Sequence, residues 1–458
     1  MTPIALLLGV YAAMLATIAV LSRRAATPGS LSDFYLAGRS LGVPVLVLTL
    51  YATQYSGNAL IGYPGEAYRM GFAWIMSASF MMAIVVVYLT FAPGLQRTAR
   101  KHRFVTPADW FDHRFGSPVL THCANLLLIV AITNYLLAQL MAIGHLTEGI
   151  SDGAVPYAAG VLLFAVVIVV YETLGGLRAV AWTDTVQGIL LLVGLAGILA
   201  AVLTSTGGLG GLTAWLAENH PEKVSRPPAP VLRTWVSNVL TVGFAAAVYP
   251  QAIQRIYAAK SSRVLKRSLG IMAFMPLVTM PVVVLVGLYG VRRYDTALGD
   301  IAADQVMPRL LREWTEAEPL FALSAALVLL GAMAAIMSTA DSVLLSLSSI
   351  LSKDVLGRTL MRDADEAHIT RYGKLLSWLA MAVLVGVALV PRLTLWGLTE
   401  LKNELLCQVS PLFVLGVAWR GLTARAALCG LLAGTSVAAG AKFLGFGKIW
   451  GLHAGLYG

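Results

Sequence analysis

Apolar residues in this chain gather into runs of about 20, the length a helix needs to cross the hydrocarbon of a bilayer. The runs recur from end to end and predict twelve helices. Their spans are roughly 3–22, 42–66, 71–95, 118–148, 155–171, 181–204, 233–254, 267–291, 319–351, 372–391, 394–419 and 426–445. Most connectors are short, but two are longer, at 205–232 and 292–318. The second carries DQVMPRLLREW, a mixed pattern that predicts a short interfacial helix on the outer face.

Three of the runs are not uniformly apolar. The second, VPVLVLTLYATQYSGNALIGYPGEAYRMG, carries Thr53, Gln54, Ser56, Gly57 and Asn58 in its middle, then Gly62, Pro64 and Gly65. The seventh, VSNVLTVGFAAAVYPQAIQR, has Gly243 at its centre and Pro250 a few residues on. Backbone freed at such places is tolerated only where it lines a cavity. Two interruptions five helices apart point to a transporter with inverted repeats and a midplane site. The ninth contains AAIMSTADSVLLSLSSIL, in which Ser338, Thr339, Asp341, Ser342, Ser346, Ser348 and Ser349 sit at membrane depth.

Composition agrees with a polytopic membrane protein read as one domain. Of 458 residues, 58% are hydrophobic and 12% charged, about half the charged share of a soluble chain. Mean hydropathy is +0.77. The first run leads into Ser22-Arg23-Arg24 with no small-residue cleavage site, which marks a retained helix rather than a signal peptide. Cys123, Cys407 and Cys429 lie far apart in apolar runs, so neither a disulfide framework nor a thiolate metal site is implied. No Walker loop or dinucleotide fingerprint is present, and no nucleophile, base and orienting group converge. An ATP-driven engine and an enzyme are both disfavoured, and no organic cofactor is called for.

The formal charge of +10 is an orientation signal rather than a nucleic-acid footprint. With the amino terminus outside, the inner loops are 23–41, 96–117, 172–180, 255–266, 352–371 and 420–425. These loops and their edges hold 21 of the 33 Lys and Arg residues, as the positive-inside rule requires. The expected location is the inner (plasma) membrane.

Five segments together resemble the sodium:solute symporter family, which contains proline, pantothenate, sialic-acid and sugar carriers. They are FYLAGRSLG (34–42), GYPGEAYRMGFAW (62–74), YETLGGLRAVAWTDTVQG (171–188), QRIYAAKS (254–261) and MSTADS (337–342). They keep the family's order, and the resemblance spans about residues 33–430. It implies an all-α LeuT-type fold, with two inverted five-helix repeats at about 42–204 and 233–419. An extra helix (3–22) would precede them and a further one (426–445) follow. Members with thirteen helices would continue where this sequence stops, at GLHAGLYG.

Ala335, Ser338, Thr339 and Ser342 follow i, i+3, i+4, i+7 spacing and share a helix face. By resemblance, the hydroxyls of Ser338 and Thr339 and the carbonyls of Ala52, Tyr55 and Ala335 match the family's common sodium site. The plain alternative is hydroxyls bonded to their own helix. Some relatives hold a second sodium with hydroxyls matching Asp341 and Ser342 and an aspartate matching Asp184. Two carboxylates would then face one cation here, or one would hold a proton. Against this, Asp184-Thr185-Val186-Gln187 has the form of a capping box opening the sixth helix, and Asp341 could face a watery vestibule.

The solute pocket is expected between the two breaks, with candidates Gln54, Ser56, Asn58, Ala59, Phe244 and Ala246. Proline carriers have an aspartate matching Gln54 and aromatics matching Val242 and Ala246; sugar carriers have a glutamine matching Ala59. Both patterns are broken. In the eleventh run, Glu400, Glu404 and Gln408 form a polar stripe with Lys402 off it. That stripe either contacts a zwitterionic solute or holds the bundle together. Glu66 and Arg69 are assigned to the outer interface. The leading reading is sodium-driven import of an amino acid or a carboxylate such as pantothenate. The alternatives are a sensory membrane domain attached to a signalling module, and a proton-coupled carrier.

Overall fold

The second apolar run is helical up to its polar middle and then breaks. In the computed structural model, α1 (Val43–Gln54) stops at Tyr55, whose φ and ψ of −94° and 79° are not helical. The chain resumes through one π turn (Asn58–Gly62) and α2 (Tyr63–Met70). The structure describes residues 13–458 except 19, 23, 25–29, 57, 152, 296–301, 317–318, 359–363 and 391–394. Gly57, the Asn58 side chain and the first half of the helix expected at 3–22 therefore lie outside the described residues.

The seventh run is also broken, but not at Gly243. It forms α6 (Ala229–Ala246) and α7 (Pro250–Ala258), inclined at 54°. Pro250 has no N–H to return to Ala246, and it holds Tyr249 extended, with φ −53° and ψ 129°. Gly243 instead lies within α6 and allows close packing, since a Cβ there would stand 2.9 Å from the Ala83 side chain. Ala83 belongs to α3 (Met76–His102).

The connection expected at 172–180 is short: Tyr157–Thr206, α5, is two helices that meet at a kink at Gly176, where φ is 56° and ψ −164°. A Cβ at Gly176 would stand 2.6 Å from the Phe34 carbonyl oxygen, so both conformation and close approach select glycine. The second of these helices begins just after Gly176, so Asp184 sits inside it rather than at its start and is not a helix cap.

Around these lie α4 (Pro118–Ile150), α8 (Pro319–Ser349), α9 (Leu395–Ala418) and α10 (Ala424–Phe443). α8 continues into a π-wound turn, Ile350–Gly357, and α5 and α8 pack along much of their lengths. Among the described residues, seven helices are long and apolar enough to cross a membrane, and the bent pair α6–α7 makes up to eight. The remaining runs are short, as α1 is, or carry several charges, as α9 does, so twelve is an approximate count. The expected surface helix is present at Val306–Thr315, with Val306, Met307, Leu310, Leu311 and Trp314 buried.

The connectors sort to two ends. At one, Arg39 donates to the Phe104 carbonyl at 2.6 Å, and Asp109 pairs with Lys353 and Arg358. Those ion pairs and backbone N–H groups hold the Asp109 carboxyl below the ordinary carboxylate range despite its burial. At the other, Lys223 donates to the Tyr68 carbonyl at 3.0 Å and His220 meets Asp295 at 2.9 Å. The segments read as inner from their basic residues thus meet at one end.

Gly176→Ala should lower the thermal unfolding midpoint of the purified protein, because a strained positive φ alone costs about 1–3 kcal/mol. An unchanged midpoint would show that the bend does not depend on glycine.

Candidate cation and solute site

Where α1 ends, its last carbonyls lose their helical partners. The Ala52 carbonyl is taken up from across the bundle by Thr339 of α8, whose hydroxyl donates to it at 3.3 Å. Ala335, Ser338 and Thr339 are all buried on α8, and Ala52 and Tyr55 are buried at the end of α1. For a hard cation with oxygen ligands at about 2.4 Å, neighbouring ligands stand about 3.4 Å apart. The Thr339–Ala52 separation fits that spacing, and neutral oxygens are the chemistry a monovalent hard cation takes. The structure thus brings Thr339 to the helix break.

Ser338 points the other way. It donates to Asp184 Oδ1 at 2.5 Å. Asp184 Oδ2 accepts from Thr49 and, at 2.7 Å, from Arg255 Nη2. Arg255 also donates from Nε to the Thr49 hydroxyl at 2.8 Å and from Nη2 to Ser342 Oγ at 2.6 Å. Both members of the Arg255–Asp184 pair are fully inaccessible. A guanidinium carried by α7 therefore occupies the space between Asp184 and Ser342, where a second cation was considered.

Arg255 was missed in the sequence because it follows the seventh run and was counted with the inner loop 255–266. It is instead a core residue, and the signal for it was the arginine in QRIYAAKS, five residues after the helix-breaking Pro250. Asp341 stays outside this net. It is buried, and neither carboxyl oxygen has a hydrogen-bond partner among the described residues. The later serines do more than bond back to their helix. Gln254 accepts from Ser346 at 2.6 Å and donates to Ser349 at 2.7 Å, while Ser348 meets the Tyr35 hydroxyl at 3.2 Å.

Of the solute candidates, Gln54 and Ala246 are joined through Tyr88. Gln54 donates to the Tyr88 hydroxyl at 2.8 Å, and that hydroxyl donates to the Ala246 carbonyl at 3.3 Å. Ser56 and Ala59 are buried at the break, whereas Phe244 is half-buried against the core. Glu400 and Glu404 do not join this group. Glu400 accepts from Trp396 and pairs with Lys448 and His453, and Glu404 stands 3.6 Å from Lys442. Their stripe faces α10 and the carboxy-terminal hairpin. Gln408 likewise donates to the Gly455 carbonyl at 2.7 Å.

Residues between the stripe members turn inward. Lys402 is 2% exposed, and its ammonium lies over the rings of Tyr135 and Tyr249, 3.4 and 4.5 Å from their centroids. Tyr249 donates to Asn403 Oδ1 at 3.1 Å. Glu66 and Arg69 pair with each other on α2, with Glu66 buried.

A membrane bundle with two mid-span breaks facing one another, and hydroxyls of a third helix at one of them, is the architecture of a secondary transporter. The sodium:solute symporter family model matches residues 34–434, and the chain belongs to that family. A sodium/pantothenate symporter of Escherichia coli is 29% identical over 423 residues, covering 90% of this chain and 84% of that protein. A high-affinity proline transporter of Bacillus subtilis is 27% identical, covering 89% and 86%. A sodium-coupled sialic acid symporter, solved substrate-bound and outward-open, superposes with a TM-score of 0.78 at 20% identity, covering 99% of this chain and 93% of that one. MhsT, solved with L-phenylalanine, gives 0.57 at 13% identity, covering 85% and 97%. The LeuT-type fold and sodium-coupled solute symport follow.

Removing one member of a buried ion pair strands the other, at a cost of about 3–5 kcal/mol. Asp184→Asn or Arg255→Met should each lower the thermal midpoint sharply. The double variant should be less destabilised than the sum, and strict additivity would show that the two residues do not act as a pair.

Proposed function

We propose that the chain imports a small organic solute, an amino acid or a carboxylate of the pantothenate kind, by sodium-coupled alternating access with one sodium ion. The observation that carries this reading is the Thr339 hydroxyl at 3.3 Å from the Ala52 carbonyl. A sodium ion placed there would be held by the carbonyls of Ala52, Tyr55 and Ala335 and the hydroxyls of Ser338 and Thr339. It would tie the broken end of α1 to α8, and so favour the arrangement in which the pocket between the breaks is formed.

Thr339 would give up its bond to Ala52 and turn its lone pairs to the ion. Ser338 has a lone pair free for the ion while its O–H still donates to Asp184. The Asp184–Ser342 space is filled by Arg255, a cation that cannot leave, so this chain has no need of a second sodium there. The excess of Lys and Arg in the connectors gathered at the Asp109 end supports the assignment of that end as the inner one, with the amino terminus outside.

The test is solute uptake into proteoliposomes containing the full chain, driven by a sodium or a potassium gradient. Uptake should require sodium. Thr339→Ala should raise the sodium concentration for half-maximal uptake roughly tenfold or more, the effect of one lost ligand at about 1.4 kcal/mol per decade, and Ser338→Ala should act in the same direction. Equal uptake under potassium, or uptake driven by a proton gradient alone, would overturn the sodium coupling. Sodium-dependent binding without uptake would overturn the carrier and favour a sensor.

A further inference from the structure

Lys402 is a charge without a counter-ion at the centre of the bundle. The described residues offer its ammonium two tyrosine faces and no carboxylate within ion-pair distance. The acids of its own helix are engaged elsewhere, Glu400 by Lys448 and His453 and Glu404 by Lys442. A ring face attracts a cation but carries no net charge, so the pair of rings orients the ammonium without neutralising it. Ionisable residues in membrane spans are rare and face a functional pathway or a partner. Among the described residues no carboxylate stands within ion-pair distance to serve as that partner.

The surroundings of Lys402 connect it to the transport machinery. Tyr249, one of its two rings, sits in the bend between α6 and α7 and donates to Asn403. Tyr135, the other, comes from α4, and its hydroxyl lies beside those of Ser56 and Thr339. One tyrosine thus touches the lysine with its ring and the proposed sodium hydroxyl with its edge. Lys402 stands between the two helix breaks, on the side of α9 opposite the Glu400 stripe.

We infer that Lys402, seated on Tyr135 and Tyr249, is the recognition point for a carboxylate on the transported solute, which supplies the missing counter-ion. This rests on the symport reading and narrows its solute class. An anionic or zwitterionic solute binds because its carboxylate meets a desolvated, pre-oriented ammonium. A neutral analogue of the same shape leaves that ammonium unpaired and is rejected. Sodium and solute then meet through Tyr135, since drawing the Thr339 hydroxyl onto the ion settles the phenol and, with it, the ring beneath Lys402.

The test uses the full chain in detergent and in proteoliposomes, with pantothenate, L-proline and L-lactate as probes and the corresponding primary amides, which lack the carboxylate, as controls. Thermal stabilisation by each probe is measured at saturating sodium, for wild type, Lys402→Met and Lys402→Arg. At least one carboxylate should stabilise the wild type while its amide does not. Lys402→Met should weaken that carboxylate roughly 30-fold or more, as loss of one member of a desolvated charge pair does. Lys402→Arg should recover part of the affinity.

The stabilisation produced by sodium alone should persist in Lys402→Met, which shows that the variant is folded and keeps its cation site. Equal binding of acid and amide, no binding by any of the three carboxylates, or unchanged carboxylate affinity in Lys402→Met would each overturn the proposal. None of these results touches sodium coupling, which fails separately if sodium alone does not stabilise the wild type relative to potassium.

Discussion

The fold turns on one buried ion pair. Arg255 and Asp184 meet at 2.7 Å with no solvent access, and Thr49, Ser338 and Ser342 supply the hydrogen bonds that such a pair needs to survive in a dry interior. These five residues come from four helices, α1, α5, α7 and α8. Because Arg255 is carried by the short helix after the α6–α7 bend, the pair fixes where that bend points. Because Ser338 and Thr339 are adjacent, the bond from Ser338 to Asp184 also sets the rotation at which Thr339 reaches the Ala52 carbonyl. The proposed cation site is therefore built on the ion pair, with a fixed charge between Asp184 and Ser342.

Above this layer the bundle holds a second charge, and it is treated in the opposite way. Arg255 is matched by a protein carboxylate, whereas Lys402 is given two aromatic faces and left without one. The matched charge holds helices together, and the proposal gives the other to a ligand. Tyr135 links the levels, with its ring under Lys402 and its hydroxyl beside Thr339.

Much of this was legible in the sequence, for reasons that can be named. Glycine and polar residues after Thr53 announced the break in the second run because a membrane helix cannot otherwise carry them. The i, i+3, i+4, i+7 spacing put Ala335, Ser338, Thr339 and Ser342 on one face, and the structure brings Thr339 of that face to Ala52. The break at the seventh run was displaced from Gly243 because proline, not glycine, disrupts the backbone bonding there. Asp184 had the local pattern of a helix cap, yet the helix is already under way there, because the kink that separates the two halves of α5 falls earlier, at Gly176. The Glu400 stripe was conspicuous for its periodicity. Its side chains serve the carboxy-terminal hairpin, while the less regular Lys402 and Asn403 face the core. Arg255 could not be placed by pattern, because an arginine at the end of an apolar run has the same appearance whether it leaves the membrane or turns back into it.

The claim at the centre of this account is that the chain carries one mobile sodium and one fixed guanidinium. Equilibrium binding of radioactive sodium to the purified full chain, counted per molecule, tests it most directly. The account predicts one sodium per chain, bound roughly tenfold or more weakly in Thr339→Ala and unchanged when Asp341 is changed to Asn. Two sodium ions per chain, or an affinity unaffected by Thr339→Ala and lost on removing Asp341, would contradict it.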